Sequence, residues 1–320
     1  MASPRYDILG IGNAMVDVVA PVDHAFLSRH DMHPGAMALI DAATADRLYA
    51  AMPPGQESSG GSVANTCAIA AALGARVAYL GRVADDQLGA VFAHDIRAAG
   101  VHFPTPPAQG GLPTGRCLVL VTPDGQRTMN TFLGACTGFG EADVDTALVA
   151  DSAVTYLEGY LFDPPAAQAA FRRAAEAAHS AGRQVALSLS DAFCVDRHRT
   201  AFRELVRGHV DILFANETEI CSLYETNGFE EAAALARGEV SLAALTRSEA
   251  GSVVLRGPET VAVPAVPARV IDTTGAGDAY AAGFLAGLAR GAALAACGHA
   301  GSVAAAEVIA QYGARPRRAA

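Results

Sequence analysis

Short apolar runs alternate with longer stretches in which apolar residues return every three or four positions, and this exchange continues through most of the chain. Residues 7 to 12, 75 to 80, 152 to 157, 184 to 189 and 210 to 214 are compact apolar runs that predict strands. Between them, 62 to 74, 86 to 99, 164 to 181 and 198 to 207 carry helical character. The third is opened by Pro164-Pro165, whose fixed φ suits a first helical turn. Strands that alternate with helices in this way predict a mostly parallel sheet with helices on both faces, an α/β fold. The last third adds strands near 240 to 245, 251 to 255 and 260 to 263, then helices at 275 to 289 and 291 to 310.

Two stretches break the rhythm. One runs from Met15 to Asp41, the other from Phe103 to Ala135. Within the second, Arg116 to Val121 and Arg127 to Thr131 flank the turn Pro123-Asp124-Gly125, a hairpin signal. Both read as excursions that pair into a small separate sheet. The expected partition is 1–13, 42–102 and 136–320 in a large α/β domain, with 14–41 and 103–135 in the small one.

Composition narrows the function classes. Hydrophobic residues at 51% against charged residues at 18% exclude a disordered chain. A net charge of −10 is the wrong sign for tracking phosphates along a nucleic acid. All 23 basic residues are Arg and none is Lys, which removes Schiff-base lysines, pyridoxal-phosphate anchoring, the Walker-A lysine and the strand lysine of protein kinases. The chain enters an apolar strand within a few residues of Met1, leaving no room for a signal peptide, and no apolar run nears the ~18 residues of a membrane span. A cytoplasmic protein without membrane or nucleic-acid partners is expected. The six cysteines are scattered without metal-site spacing, so they read as buried small side chains in a reducing compartment.

The segment with most chemistry is Asp272-Thr273-Thr274-Gly275-Ala276-Gly277-Asp278, leading into a helix of small residues. Gly275, Ala276 and Gly277 offer free amides at a helix N-terminus, where an anion is favoured and a phosphate can approach closely. Asp278 falls in the first turn. A carboxylate there often only offsets the helix dipole, but beside an open phosphate cradle it is placed to accept a hydroxyl proton. The amides and the dipole are expected to keep it ionised at neutral pH. A second segment, Gly60-Gly61-Ser62-Val63-Ala64-Asn65, brings a glycine pair to another helix start, with Asn65 one turn past Gly61. It fits either a polar ligand site or a flexible loop. Third, Gly10-Ile11-Gly12-Asn13 superficially matches a dinucleotide fingerprint, but the third glycine is absent and Val16 to Val19 alternates like a strand. That leaves Asn13 and Asp17 near the end of a strand, where an α/β sheet presents its ligand groups. Fourth, Asn216-Glu217-Thr218-Glu219 follows an apolar strand and reads as a helix cap or as carboxylates that order magnesium-bound water.

Taken in order, these segments resemble the ribokinase, or phosphofructokinase-B, family of carbohydrate kinases, and within it the adenosine kinases. Asp272 to Asp278 is similar to the family's D-T-x-G-A-G-D signature, and Gly60-Gly61 through Gly81 to Asp85 and Gly89 is similar to the N-terminal one. Gly12-Asn13 with Asp17, Ser62, Pro113-Thr114-Gly115 and Leu187 to Ser190 lean towards the adenosine kinases. The resemblance implies a ribokinase-like α/β domain with a small β lid, ATP as donor, magnesium as cofactor and room for a monovalent cation, in a monomer or homodimer. It implies Asp278 as catalytic base and Gly275, Ala276 and Gly277 as anion hole. Asn13, Asp17, Gly60, Gly61, Ser62 and Asn65 would hold the ribose, and Met37, Leu39 and Leu133 would face the base. Asn216, Glu219, Thr246, Gly251, Thr274 and His299 would lie on the nucleotide side, with Glu219 reaching magnesium through water. The nucleotide segment T-x-G-x-x-G appears as Thr246 to Gly251 with Ser248 in place of a glycine. Arg127, on the lid hairpin, is expected to swing towards the transferring phosphoryl group, because Arg must supply every side-chain cation.

The reaction so implied is phosphorylation of a nucleoside 5'-hydroxyl, adenosine to AMP first. A sugar kinase of the ribose or fructose type, or an inosine or guanosine kinase, would differ only in the acceptor pocket. A nicotinamide dehydrogenase lacks its fingerprint, and a relative that only binds would have lost Asp278 or its glycines.

Overall fold

The computed structural model describes residues 3–316. Its first part runs β1 (Tyr6–Ile11), β2 (Met15–Pro21), α1 (His24–Arg29), β3 (Met37–Leu39), α2 (Ala42–Ala51), β4 (Gln56–Gly60), α3 (Ser62–Ala72), β5 (Val77–Leu80), α4 (Gln87–Ala98), β6 (Gly115–Val121) and β7 (Arg127–Phe132). There follow α5 (Thr146–Ala150), β8 (Ser152–Glu158), α6 (Pro165–Ser180), β9 (Gln184–Ser188), α7 (Ala192–His209), β10 (Ile212–Asn216), α8 (Glu217–Tyr224) and α9 (Phe229–Glu239). The last are β11 (Leu242–Thr246), β12 (Ser252–Arg256), β13 (Glu259–Val263), α10 (Ala276–Ala289) and α11 (Leu294–Ile309).

Eight strands form one sheet in the order β13-β12-β11-β10-β9-β8-β1-β5, parallel from β5 to β11 and antiparallel at the β12 and β13 edge. Its parallel strands are largely apolar because both faces are covered, whereas β13 at the edge is mostly exposed. Neighbouring residues feed two different cores: Leu157, Leu187, Leu213 and Leu245 point into one, Tyr156, Ala186, Phe214 and Ala244 into the other. The period of two in the backbone thus becomes two helical layers. In α6 the buried residues Ala167, Ala170, Phe171, Ala174, Ala175 and Ala178 make a helical stripe of mostly small side chains, so the helix can lie close to the sheet. The helix expected at 198 to 207 starts earlier, at Ala192; His198 leaves helical geometry and breaks the pattern that sequence spacing could follow.

Both excursions join a second sheet, ordered β3-β7-β6-β2-β4. It also takes β4, which lies within the 42–102 range expected in the large domain; β4 pairs antiparallel with β2, Met15 against Gly60. Gln56-Glu57-Ser58-Ser59 has no apolar alternation, so nothing local marks it as a strand. The inner face of this sheet reads Asp17 and Val19 on β2, Val119 on β6, Arg127 and Met129 on β7, and Met37 and Leu39 on β3. Between that face and the C-terminal ends of the parallel strands lies a cavity of about 2060 Å³. Asn13, Glu158, Ser188, Asn216 and Thr246, each at or just beyond the end of a parallel strand, line it, as the topology of an open α/β sheet requires of a ligand site. All six cysteines are free thiols, five of them buried. Among the described residues no helix is long and apolar enough to cross a membrane.

Candidate active site

The floor of the cavity is the start of α10. Gly275 caps the helix with φ +76°, a left-handed conformation that a side chain would strain, and no side chain caps the amides behind it. A Cβ at Gly277 would meet nothing within 4 Å, so the space beside this residue is open, whereas the Ala276 amide, expected to be free for an anion, is already donated to Thr273 O at 3.2 Å. Asp278, in the first turn, accepts Ser62 Oγ at 2.6 Å and Asn65 Nδ2 at 3.4 Å. Burial pushes its carboxyl up to about 6 against the hydrogen bonds of Ser62 and Asn65, which work the other way. Desolvation is the largest influence on this carboxyl. A value near 6 still leaves the carboxylate as the main form at neutral pH, with a basicity suited to taking a proton.

Before the helix, the stretch ending in Val270-Ile271 pairs with no strand; Ile271 and Asp272 donate their amides to Ile309 O at the end of α11. Asp272 is a junction. Its Oδ1 accepts Thr274 N at 3.1 Å and Oγ1 at 2.8 Å; its Oδ2 accepts Gly313 N at 3.0 Å and lies 3.0 Å from Arg127 Nε. Arg127 is therefore already drawn from the β6–β7 hairpin to the loop that opens α10, in a buried ion pair, with its guanidinium facing the Tyr312 ring.

The acceptor side is built on α3. Gly61 caps it at φ +99°, where a Cβ would stand 2.0 Å from Asn13 O. Asn65 and Ser62 turn to Asp278 from this helix, and Asp17 reaches the cavity from β2, its carboxyl raised by burial to about 6 although Arg315 and Arg127 pull it down. Gly60 does not line the cavity; it lies behind Asp17 and lets that carboxylate approach the backbone. Met37 and Leu39 are 53% and 58% exposed, unusual for such side chains, and together with Leu133 they belong to the cavity wall.

On the nucleotide side, Asn216 and Glu219 form a reciprocal cap of α8: Asn216 Oδ1 accepts Glu219 N at 2.9 Å, while Glu219 Oε2 accepts Asn216 N at 2.9 Å. The capping reading is thus realised, and the Glu219 carboxyl, raised to about 7 chiefly by burial, still lines the cavity. Thr246, Gly251 and Thr274 line it as well. Ser248, which stands where the motif has glycine, adopts φ +49° and so keeps the backbone path a glycine would take, at a cost of about 1 kcal/mol. His299 is not brought in. Ser302, Ala305, Ala306 and Ile309 of α11 face the cavity, whereas His299, one turn earlier, emerges into solvent.

Two residues escape sequence reasoning. Glu158, at the end of β8, accepts Asn13 Nδ2 at 2.7 Å and Val63 N at 3.0 Å, so it caps α3 and fixes Asn13 at once; burial raises its carboxyl to about 7. Its signal is a lone acid in the apolar stretch Val154 to Phe162. Arg315, after α11, donates to Asn65 and Ser59, and no local pattern marks it.

The two-sheet fold that carries this site recurs in known proteins. The model of the pfkB family carbohydrate kinases matches residues 37–319. The chain belongs to that family. Adenosine kinase from Sinorhizobium meliloti shares 54% identity at a TM-score of 0.89, covering 98% of this chain and 96% of that one. A probable sugar kinase from Rhizobium etli shares 50% at 0.90 over the same fractions. Adenosine kinase 1 of Arabidopsis thaliana is 28% identical, over 98% of this chain and 97% of its own length. A structure named for a nucleoside and one named for a sugar lie equally near, so the acceptor has to be argued from the cavity.

Proposed function

We propose that the protein transfers the terminal phosphoryl group of ATP to the 5'-hydroxyl of a nucleoside, adenosine first among them. Kinases of this family use ATP, normally with magnesium, and the residues present fit both. The uncapped amides of α10 suit a phosphate. Glu219, buried with a raised carboxyl, is a group that a nearby cation would relieve, held through water. Magnesium supplies charge neutralisation on the donor phosphates.

The chain's own contribution is position and charge. Asp17, with Asn65 and the Gly61 backbone, grips the ribose hydroxyls, and Glu158 keeps Asn13 and the start of α3 from shifting. Asp278 takes the proton of the attacking hydroxyl as the new O–P bond forms and the bond to the ADP leaving group breaks, while the Gly277 amide at the start of α10 stabilises charge on the transferred group. Arg127 places its guanidinium beside the same loop.

The observation that favours a nucleoside is the exposed pair Met37 and Leu39 on the wall that also holds Asp17. An apolar shelf next to a polar grip matches a base joined to a sugar. At roughly 25 cal/mol per Å², covering one face of a purine is worth a few kcal/mol that a free pentose cannot supply. A panel of adenosine, inosine, guanosine, cytidine, ribose and fructose with ATP and magnesium tests this. Adenosine is expected to exceed ribose and fructose by orders of magnitude in kcat/KM; equal or better turnover of a hexose would sink the nucleoside reading.

A further inference from the structure

We infer that Arg315, on the segment after α11, is a positioning residue of the phosphoryl-transfer site, which fixes the Asn65 amide towards Asp278 and places positive charge beside the cluster of acceptor-side carboxylates. The inference rests on the kinase reading of the cavity.

Geometry carries it. Arg315 Nε donates to Asn65 Oδ1 at 2.8 Å, and the other end of that amide, Nδ2, donates to Asp278 Oδ2 at 3.4 Å. An Asn side chain can flip with little change in shape, but an Arg can only donate, so a guanidinium on one end dictates which end carries oxygen. Without it, Asn65 could turn its oxygen towards Asp278 and set two acceptors against each other. Arg315 is in turn anchored: Nη1 donates to Ser59 Oγ at 3.0 Å and lies 3.5 Å from Asp95 Oδ2, which also accepts Ser59 N at 2.8 Å. The segment that carries it is tied down by Gly313 N on Asp272 and packs Ala314 against Gly275, where a Cβ would come within 2.8 Å. One short segment thus braces the anion-hole loop and, two residues later, the amide that faces the base.

The charge balance points the same way. Asp278 is faced by Ser62 and Asn65 from α3, by Asp17 from β2, by Tyr156 and Glu158 from β8, by Tyr160 from the turn after β8 and by Glu219 from α8. The charges among these are negative. Arg315 supplies the opposing positive charge, pulling down the carboxyls of both Asp278 and Asp17, while its own burial makes its charge costly to hold. With no Lys in the chain, this task falls to an Arg. One of its nitrogens, Nη2, is buried without a partner.

The test compares the parent with Arg315→Met and Arg315→Lys, using the best acceptor from the panel, by kcat and KM across pH 5 to 9 and by thermal unfolding. In Arg315→Met, kcat on the plateau is expected to fall about tenfold or more, and the acid limb of its pH profile to move upward by half a unit or more. Arg315→Lys restores the charge, and with it the limb, but not the plateau, because one ammonium cannot hold Asn65 and Ser59 in the same fork. If Arg315→Met does not fold, the split in Arg315→Lys, a normal limb with a lowered plateau, carries the test. A parent-like limb and a kcat within about twofold in both variants overturn the inference. So does a rise in kcat/KM, which would show the segment blocking the acceptor pocket. The kinase reading fails separately, if the parent phosphorylates no member of the panel.

Discussion

Of the helices that open on the cavity, α3 at Gly61 and α10 at Gly275 both begin at a glycine with positive φ and no side-chain cap of its own. They are put to opposite uses. At α3 a carboxylate from another element closes the terminus: Glu158 accepts Val63 N, and the same group grips Asn13. At α10 no side chain reaches the equivalent amide, that of Gly277, the space beside this glycine is open, and the nearby carboxylate, Asp278, turns away to Ser62 and Asn65 on α3. A helix start satisfied from within is a structural joint; one left unsatisfied in a cleft is a place for an incoming anion. The glycines alone do not tell the two apart, because a positive φ is needed in either case.

The largest effect should come from the carboxylate that separates them. Asp278→Asn is nearly isosteric and can keep hydrogen-bonding Ser62. Folding and acceptor binding by calorimetry should stay close to the parent's, while kcat, read as ADP release, falls by on the order of 10² or more. A variant that binds adenosine normally and turns over within about threefold of the parent would make Asp278 a helix-start carboxylate and no more.

The glycines themselves offer the next contrast. Gly277→Ala meets no atom, so thermal stability should hold or rise slightly, yet the methyl narrows the space for a phosphate and kcat/KM for ATP should drop about tenfold. Gly61→Ala meets Asn13 O and a strained φ, and should cost about 2 kcal/mol or more in stability. If the two variants exchanged these phenotypes, the assignment of one helix start to structure and the other to anion binding would be reversed.

The smallest effect concerns pH. Glu158 has its carboxyl raised from 4.5 to about 7 by burial. Its folded form prefers the proton, so its contribution to stability is complete below about pH 4.5 and is lost as pH rises through about 7. Glu158→Gln removes that titration. The difference in Tm between variant and parent should therefore move in the variant's favour between pH 5 and 8, even though Gln loses one of the two acceptors and starts lower. A constant difference across that range would mean that Glu158 is already ionised in the fold.

Much of this was readable from one chain. The apolar runs that became β1, β5, β8, β9 and β10, and the hairpin of β6 and β7, follow from patterns a few residues long. So does the helix start at Asp272 to Asp278, where glycine, small residues and an acid occur in sequence. β4 was hidden by its polar residues, and the beginning of α7 by the break at His198. Glu158 and Arg315 were out of reach for another reason: their partners Val63 and Asn65 lie 95 and 250 residues away.

The sequence by itself determined most of the elements, the order in which strands and helices alternate and the glycine-rich helix start at Asp272 to Asp278, because each depends on backbone geometry within a dozen residues. Only the tertiary structure decided which helix start is closed, which way Asn65 points, why His299 stays in solvent and how strongly Asp278 holds its proton. Those properties are sums over groups from several elements, since desolvation and Coulomb forces act through space and take no account of distance along the chain.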